Sequence, residues 1–117
     1  MKGKTMKAYV LEEIGQLTYK DVPTPRLKAD EVLVEVTNAG ICGSDIPRIF
    51  KTGTYHFPTI PGHEFAGIVR QAAAEENEHL VGKRVGVFPL IPCMKCEPCN
   101  GKTYEMCQSY NYLGSRT

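Results

Sequence analysis

A chain of 117 residues holds one domain's worth of sequence, and its 14 Lys and Arg against 13 Asp and Glu leave a formal net charge of +1. That balance excludes the basic excess that tracks a nucleic-acid backbone or an anionic membrane surface. A composition of 42% hydrophobic and 23% charged residues excludes wholesale disorder, and 11 glycines with 8 prolines point to short strands and many turns.

In chain order, Met6 to Leu11 reads as a strand, Ala8 and Val10 alternating against Lys7, Tyr9 and Leu11. Gly15 marks a turn into a hairpin partner at Leu17–Val22, which Pro23-Thr24-Pro25 ends because proline cannot donate to a ladder. Glu31 to Thr37 is the clearest strand, with Val32, Val34 and Val36 on one face. Asn38-Ala39-Gly40 is expected to break it. Ser44 or Asp45 then caps a short helix to about Lys51, Pro47 being tolerable in its first turn. Gly53, Pro58, Pro61 and Gly62 shape a loop, and Phe65–Arg70 is a further strand. Ala72–Leu80 reads as a short helix or an acidic surface loop, and Gly82-Lys83-Arg84 turns into a strand at Val85–Phe88. The expected class is mostly β with one or two short helices.

No apolar run approaches the roughly 18 residues that span a bilayer. The basic stretch Met1–Lys7 is not followed by an apolar signal core, since Glu12 and Glu13 interrupt it. The expected address is the cytoplasm, with neither membrane nor nucleic acid as partner, and disulfides are rare there.

From Pro89 onward periodicity fades and the cysteines must organise the chain. Four of the five cysteines follow the spacing C-x2-C-x2-C-x7-C at Cys93, Cys96, Cys99 and Cys107. Two-residue gaps let a turn deliver successive thiolates to one point, and four thiolates complete a tetrahedral zinc site with no open position, which is a structural role. An iron–sulfur cluster and disulfides are the alternatives. Ferredoxin runs, however, continue with Cys-Pro after three residues, and Cys107-Gln108 lies farther on and lacks that proline. A zinc-ribbon binder of nucleic acid is disfavoured, because Lys95 and Lys102 are too few to follow a phosphate backbone.

The fifth cysteine, Cys42, follows the valine-rich strand, and His63 sits in Pro61-Gly62-His63-Glu64. Taken singly, Cys42 reads as a small core residue and His63 as a surface or capping residue. Together they stand at strand ends flanked by glycines that permit close backbone approach. A catalytic zinc takes three protein ligands and keeps a fourth place open. Cys42 and His63 would supply two, and Glu64 would be the third or would hold a ligand from behind. Ser44 is placed to hydrogen-bond an alcohol and pass its proton outward.

Gly40-Ile41-Cys42-Gly43-Ser44-Asp45, then Gly62-His63-Glu64, then Gly82-Lys83-Arg84-Val85, then the four cysteines, resembles the zinc-dependent medium-chain alcohol and polyol dehydrogenases over nearly the whole chain. Ile46-Pro47-Arg48-Ile49-Phe50-Lys51, Pro89-Leu90-Ile91-Pro92-Cys93 and Gly114-Ser115-Arg116 are most similar to the branch acting on polyol phosphates such as galactitol 1-phosphate. Pro47 stands where sorbitol dehydrogenases usually carry a histidine, so no proton relay through that position is expected. The resemblance implies a GroES-like, partly open β-barrel over residues 1–117, the N-terminal part of a catalytic domain, with a structural zinc lobe at 89–112. It implies that Cys42, His63 and Glu64 serve a catalytic zinc with Ser44 beside them, and that Cys93, Cys96, Cys99 and Cys107 hold a structural zinc. It implies an enzyme that oxidises a small polyol or polyol phosphate to a ketose or ketose phosphate with NAD, as a homo-oligomer when full-length.

The sequence contains no G-x-G-x-x-G fingerprint after a strand, so a dinucleotide-binding Rossmann domain is expected to be absent from this chain. The family's remaining acidic zinc ligand normally lies farther along. The expectation is therefore an N-terminal fragment, inactive alone, with the structural zinc bound and the catalytic one weakly held. The alternative is a stand-alone GroES-like zinc module acting as a non-catalytic interaction domain. Arg48 and Lys51, three apart on the predicted helix, would share one face and greet a phosphate or form a solvated basic edge.

Overall fold

A computed structural model describes residues 4–117; Met1–Gly3, the start of the basic N-terminal stretch, lie outside the described residues. The hairpin read from the first alternating segments is present. Strand β1 (Thr5–Glu13) pairs antiparallel with β2 (Gln16–Pro23), from Thr5 opposite Pro23 to Glu13 opposite Gln16. Gly15 takes the tight turn at φ 80°, where a side chain would be strained. The alternation fails at Leu11, which is fully buried next to buried Val10. Leu11 exchanges backbone hydrogen bonds with Thr59, at 2.7 Å from its N–H and 3.0 Å to its carbonyl. That bridge holds the strand end under the loop, and the ladder shifts register between Leu11 and Glu13.

Strand β3 (Val32–Gly40) lies beside β4 (Glu64–Ala72), which in turn pairs with β5 (Arg84–Gly86), all antiparallel. Here the structure corrects the expected break: β3 continues through Asn38-Ala39-Gly40, because Asn38, Ala39 and Gly40 stay in register with Ala66, Phe65 and Glu64. Irregularities between Leu33 and Val34 and between Val36 and Asn38 take up the mismatch and interrupt the valine face, so Val36 ends 52% exposed. Strand β5 is shorter than the sequence suggests, stopping at Gly86, although the Val87 N–H still reaches the Phe65 carbonyl at 3.1 Å.

The predicted helix after Cys42 is a single α turn, α1 (Asp45–Pro47), that widens into a turn of π-helix at Arg48–Thr52. The wider winding moves positions three apart off a common face, so Arg48 and Lys51 do not form the shared basic face expected of an α-helix. The acidic stretch resolves as a 3₁₀ turn at Glu75–Leu80. The last third is built from a two-residue ladder, β6 (Leu90–Ile91) with β7 (Asn111–Tyr112), enclosing the short helix α2 (Glu97–Asn100) and a 3₁₀ turn at Tyr104–Met106.

Among the described residues the architecture is mostly β with short helices, and the strands fall into three separate sheets rather than a closed barrel. The apolar core is small: Val10, Leu11, Ile49, Val69, Cys99 and Cys107 are its buried members among the described residues. Among those residues no helix is long and apolar enough to cross a membrane.

Candidate metal centres

The β6–β7 ladder delivers Cys93 and Cys107 to the same point, since Cys93 follows Ile91 and Cys107 precedes Asn111. The loop between them folds α2 back so that Cys96, at its N-cap, and Cys99, on its inner side, complete the group. The four sulfur atoms lie within 4.8 Å of one another, with Cys93 and Cys99 4.0 Å apart and Cys96 and Cys107 3.9 Å apart. A tetrahedron of zinc–thiolate bonds of roughly 2.3 Å has edges of about 3.8 Å, so the observed spacing fits one ion. An iron–sulfur cluster divides its four cysteines among two or four irons and spreads the set of sulfurs farther apart. None of the five cysteines is joined in a disulfide.

Backbone amides converge on these sulfurs. The N–H groups of Lys95 and Cys96 point at Cys93 Sγ at 3.4 Å each, and those of Cys93 and Ser109 point at Cys107 Sγ at 3.2 and 3.4 Å. The amides of Lys95 and Cys96 bring the Cys93 thiol down to about 6 from 9.0. Those of Gln108 and Cys99 lower Cys96 as well. Burial does the opposite to Cys99, pushing its thiol up to about 12. Two thiols of the lobe are thus inclined to ionise and a third is inclined to keep its proton.

The second group is assembled by the β3–β4 pairing. Gly40 is opposite Glu64, so Cys42, two residues beyond Gly40, faces His63, one residue before Glu64. One ligand atom from each of Cys42, His63 and Glu64 lies within 4.8 Å of the other two. Cys42 is half-buried, His63 is 7% exposed and Glu64 is exposed, so this group is open on one side where the four-cysteine group is not. His63 Nδ1 is buried and has no hydrogen-bond partner. Asp45 is the group that faces this nitrogen, and a mixed donor set of thiolate, imidazole and carboxylate suits zinc.

Asp45, read from the sequence only as a helix cap, is a member of this site. It is 4% exposed. Its Oδ2 accepts the Cys42 N–H at 3.0 Å, its Oδ1 accepts from Arg48 Nη1 at 2.8 Å, and Oδ1 faces His63 Nδ1 at 3.7 Å. Arg48 therefore neutralises a buried carboxylate that fixes the Cys42 backbone and stands behind His63. The sequence does carry a signal for this, an Asp–Arg pair three apart directly after the cysteine. Ser44 is exposed and makes no capping bond to α1, contrary to its reading as a possible cap, which leaves its hydroxyl free. Ser44 lines a cleft of about 320 Å³ together with Pro47, Arg48, Thr52, Thr54 and Tyr55. Tyr112, unnoticed in the sequence, sets its ring edge-on to His63 with centroids 5.4 Å apart.

Comparison with known proteins places the family and the fold. Residues 28–116 match the alcohol dehydrogenase GroES-like domain family. Galactitol 1-phosphate 5-dehydrogenase of Escherichia coli K12 is 37% identical over 112 residues, covering 95% of this chain and 32% of that protein. The crystal structure of galactitol-1-phosphate dehydrogenase from Escherichia coli superposes with a TM-score of 0.87 at 38% identity, covering 95% of this chain and 32% of that one. A cobalt- and zinc-bound thermostable alcohol dehydrogenase from Pyrobaculum aerophilum gives a TM-score of 0.88 at 28% identity, covering 97% of this chain and 36% of that one. The chain spans about a third of the length of the relatives it matches.

Proposed function

The chain belongs to the alcohol dehydrogenase GroES-like domain family, and from that premise we propose that it is the metal-binding catalytic part of an NAD-dependent zinc dehydrogenase that oxidises a secondary alcohol of a polyol phosphate. The observation that carries the reading is the contrast between the two donor groups. Cys93, Cys96, Cys99 and Cys107 form a complete set of four, whereas Cys42, His63 and Glu64 form an open set of three, tied through Asp45 to Arg48, which lines a cleft with Ser44. The first suits a structural zinc and the second a catalytic one.

A zinc held by Cys42, His63 and Glu64 would supply a Lewis acid to the alcohol oxygen. The chain's own residues do the rest of the work on this side. Asp45 fixes the Cys42 backbone and backs His63. The free Ser44 hydroxyl accepts the proton of the substrate alcohol and hands it to water in the cleft. Arg48, tied to Asp45 through one nitrogen, keeps its remaining N–H groups for a phosphate, which favours a phosphorylated substrate such as galactitol 1-phosphate. These residues hold no dinucleotide fingerprint, so a nicotinamide domain must present the hydride acceptor, and residues 1–117 alone give no turnover.

The test is an assay of NADH production from galactitol 1-phosphate and from unphosphorylated galactitol. With the cofactor domain present, Cys42→Ser abolishes turnover, and Arg48→Lys, which keeps a cation on Asp45 but loses the forked N–H groups, raises KM for the phosphate ester about tenfold or more while shifting the bare polyol much less. Undiminished turnover in Cys42→Ser, or NADH produced by residues 1–117 alone, would overturn the reading. Equal effects of Arg48→Lys on both substrates would remove the phosphate.

A further inference from the structure

We propose that Tyr112 is a positioning residue for His63, and that through it the four-cysteine lobe governs how tightly the Cys42–His63–Glu64 group holds a metal. The inference rests on the metal-centre reading above and adds a physical connection between the two centres.

The connection is a short strap, Tyr110–Arg116. At its start, β7 is tied to the lobe: Tyr112 pairs with Leu90 and Asn111 with Ile91, and the Cys93 N–H beyond that ladder points at Cys107 Sγ at 3.2 Å. A metal held by Cys93 and Cys107 would therefore tie both strands of the ladder to the lobe. At its far end the strap crosses the loop that carries His63. Gly114, at φ 75°, lies so close to Gly62 that a Cβ there would collide with the Gly62 carbonyl. Thr54 Oγ1 donates to the Ser115 carbonyl at 2.8 Å. The Arg116 guanidinium stacks on Tyr55 at 4.5 Å and on Tyr110 at 4.4 Å, closing the strap over that loop.

His63 is thus held between two supports. Asp45 Oδ1 faces Nδ1 at 3.7 Å, too long for a hydrogen bond that would fix the ring alone. The Tyr112 ring, edge-on at 5.4 Å and 65°, supplies the second restraint. Without it, the imidazole would have rotational freedom that metal binding must then remove.

The experiment measures cobalt(II) affinity by chelator competition, in purified protein already carrying one equivalent of zinc. Tyr112→Ala is expected to weaken cobalt binding at the Cys42–His63–Glu64 group about tenfold or more. Tyr112→Phe, which keeps the ring edge, is expected to stay within about twofold of wild type. Gly114→Ala, which lifts the strap from Gly62, should weaken cobalt binding as Tyr112→Ala does. A merely structural role would lower the thermal midpoint of Tyr112→Ala and leave its cobalt affinity unchanged, and that result overturns the positioning role. Equal weakening in Tyr112→Phe and Tyr112→Ala overturns it too, because the ring edge would then not be the agent. Wild-type protein that takes up no cobalt beyond the first metal overturns the open metal centre itself, and with it this connection.

Discussion

Thiol acidity distinguishes the lobe cysteines from one another. Amide donors hold Cys93 at about 6, whereas burial pushes Cys99 to about 12, from a common 9.0. Between about 6 and 9.0 the unfolded chain keeps a proton on Cys93 that the folded, metal-free lobe has released. Stability from this group is therefore complete above 9.0 and is lost as pH falls toward 6. Cys99 contributes in the opposite sense: its share is complete below 9.0 and is lost as pH rises toward 12. In zinc-stripped protein near neutral pH, iodoacetamide followed by peptide mass mapping should label Cys93 first and Cys99 last; labelling of Cys99 ahead of Cys93 would contradict the electrostatics. At this scale the sequence was legible where chemistry is local. The spacing of the four cysteines and the glycine-flanked Cys42 and His63 name themselves, because two-residue gaps and bare backbone are visible without a fold. Asp45 and Tyr112 were not, since an aspartate at a helix start looks the same whether it caps the helix or is buried behind a ligand. A tyrosine far along the chain, in turn, gives no sign of the histidine that it touches.

The element that builds the open centre is the β3–β4 pair, whose register sets Cys42 against His63. Its closest approach is at Gly67, where a Cβ would run into the Glu35 carbonyl oxygen of the neighbouring strand. Gly67→Ala must push the strands apart or shift the register, at a cost of about 1–3 kcal/mol. Urea unfolding should show a clearly lowered midpoint, and an unchanged midpoint would mean that the strands are not packed this tightly. The valine alternation revealed β3, and the turn residues revealed the hairpin. What the alternation did not reveal were the bulges, which depend on how β4 answers β3 residue by residue, and the strand's continuation through Asn38-Ala39-Gly40, a run that reads as a breaker only when its partner is ignored. The π turn after α1 was likewise invisible, since Ser44 to Thr52 carries the start signals of an ordinary helix.

Taken whole, the molecule combines three small sheets, a short list of buried apolar residues and a lobe whose own core is two buried cysteines. A segment as short and polar as the lobe would gain much of its cohesion from an ion held by its four cysteines, so on the proposed reading the metal belongs to the fold as much as to the chemistry. The same ion, through the ladder from Cys93 to Tyr112, would bear on the open centre at His63. The most direct measurement is a crystal of the protein with anomalous scattering recorded above and below the zinc edge. The account predicts one strong peak equidistant from the sulfurs of Cys93, Cys96, Cys99 and Cys107, and a weaker, partly occupied one between Cys42, His63 and Glu64. Sulfur atoms of the lobe bonded to one another without a peak among them, or Cys42 and His63 turned apart with no density between them, would contradict it.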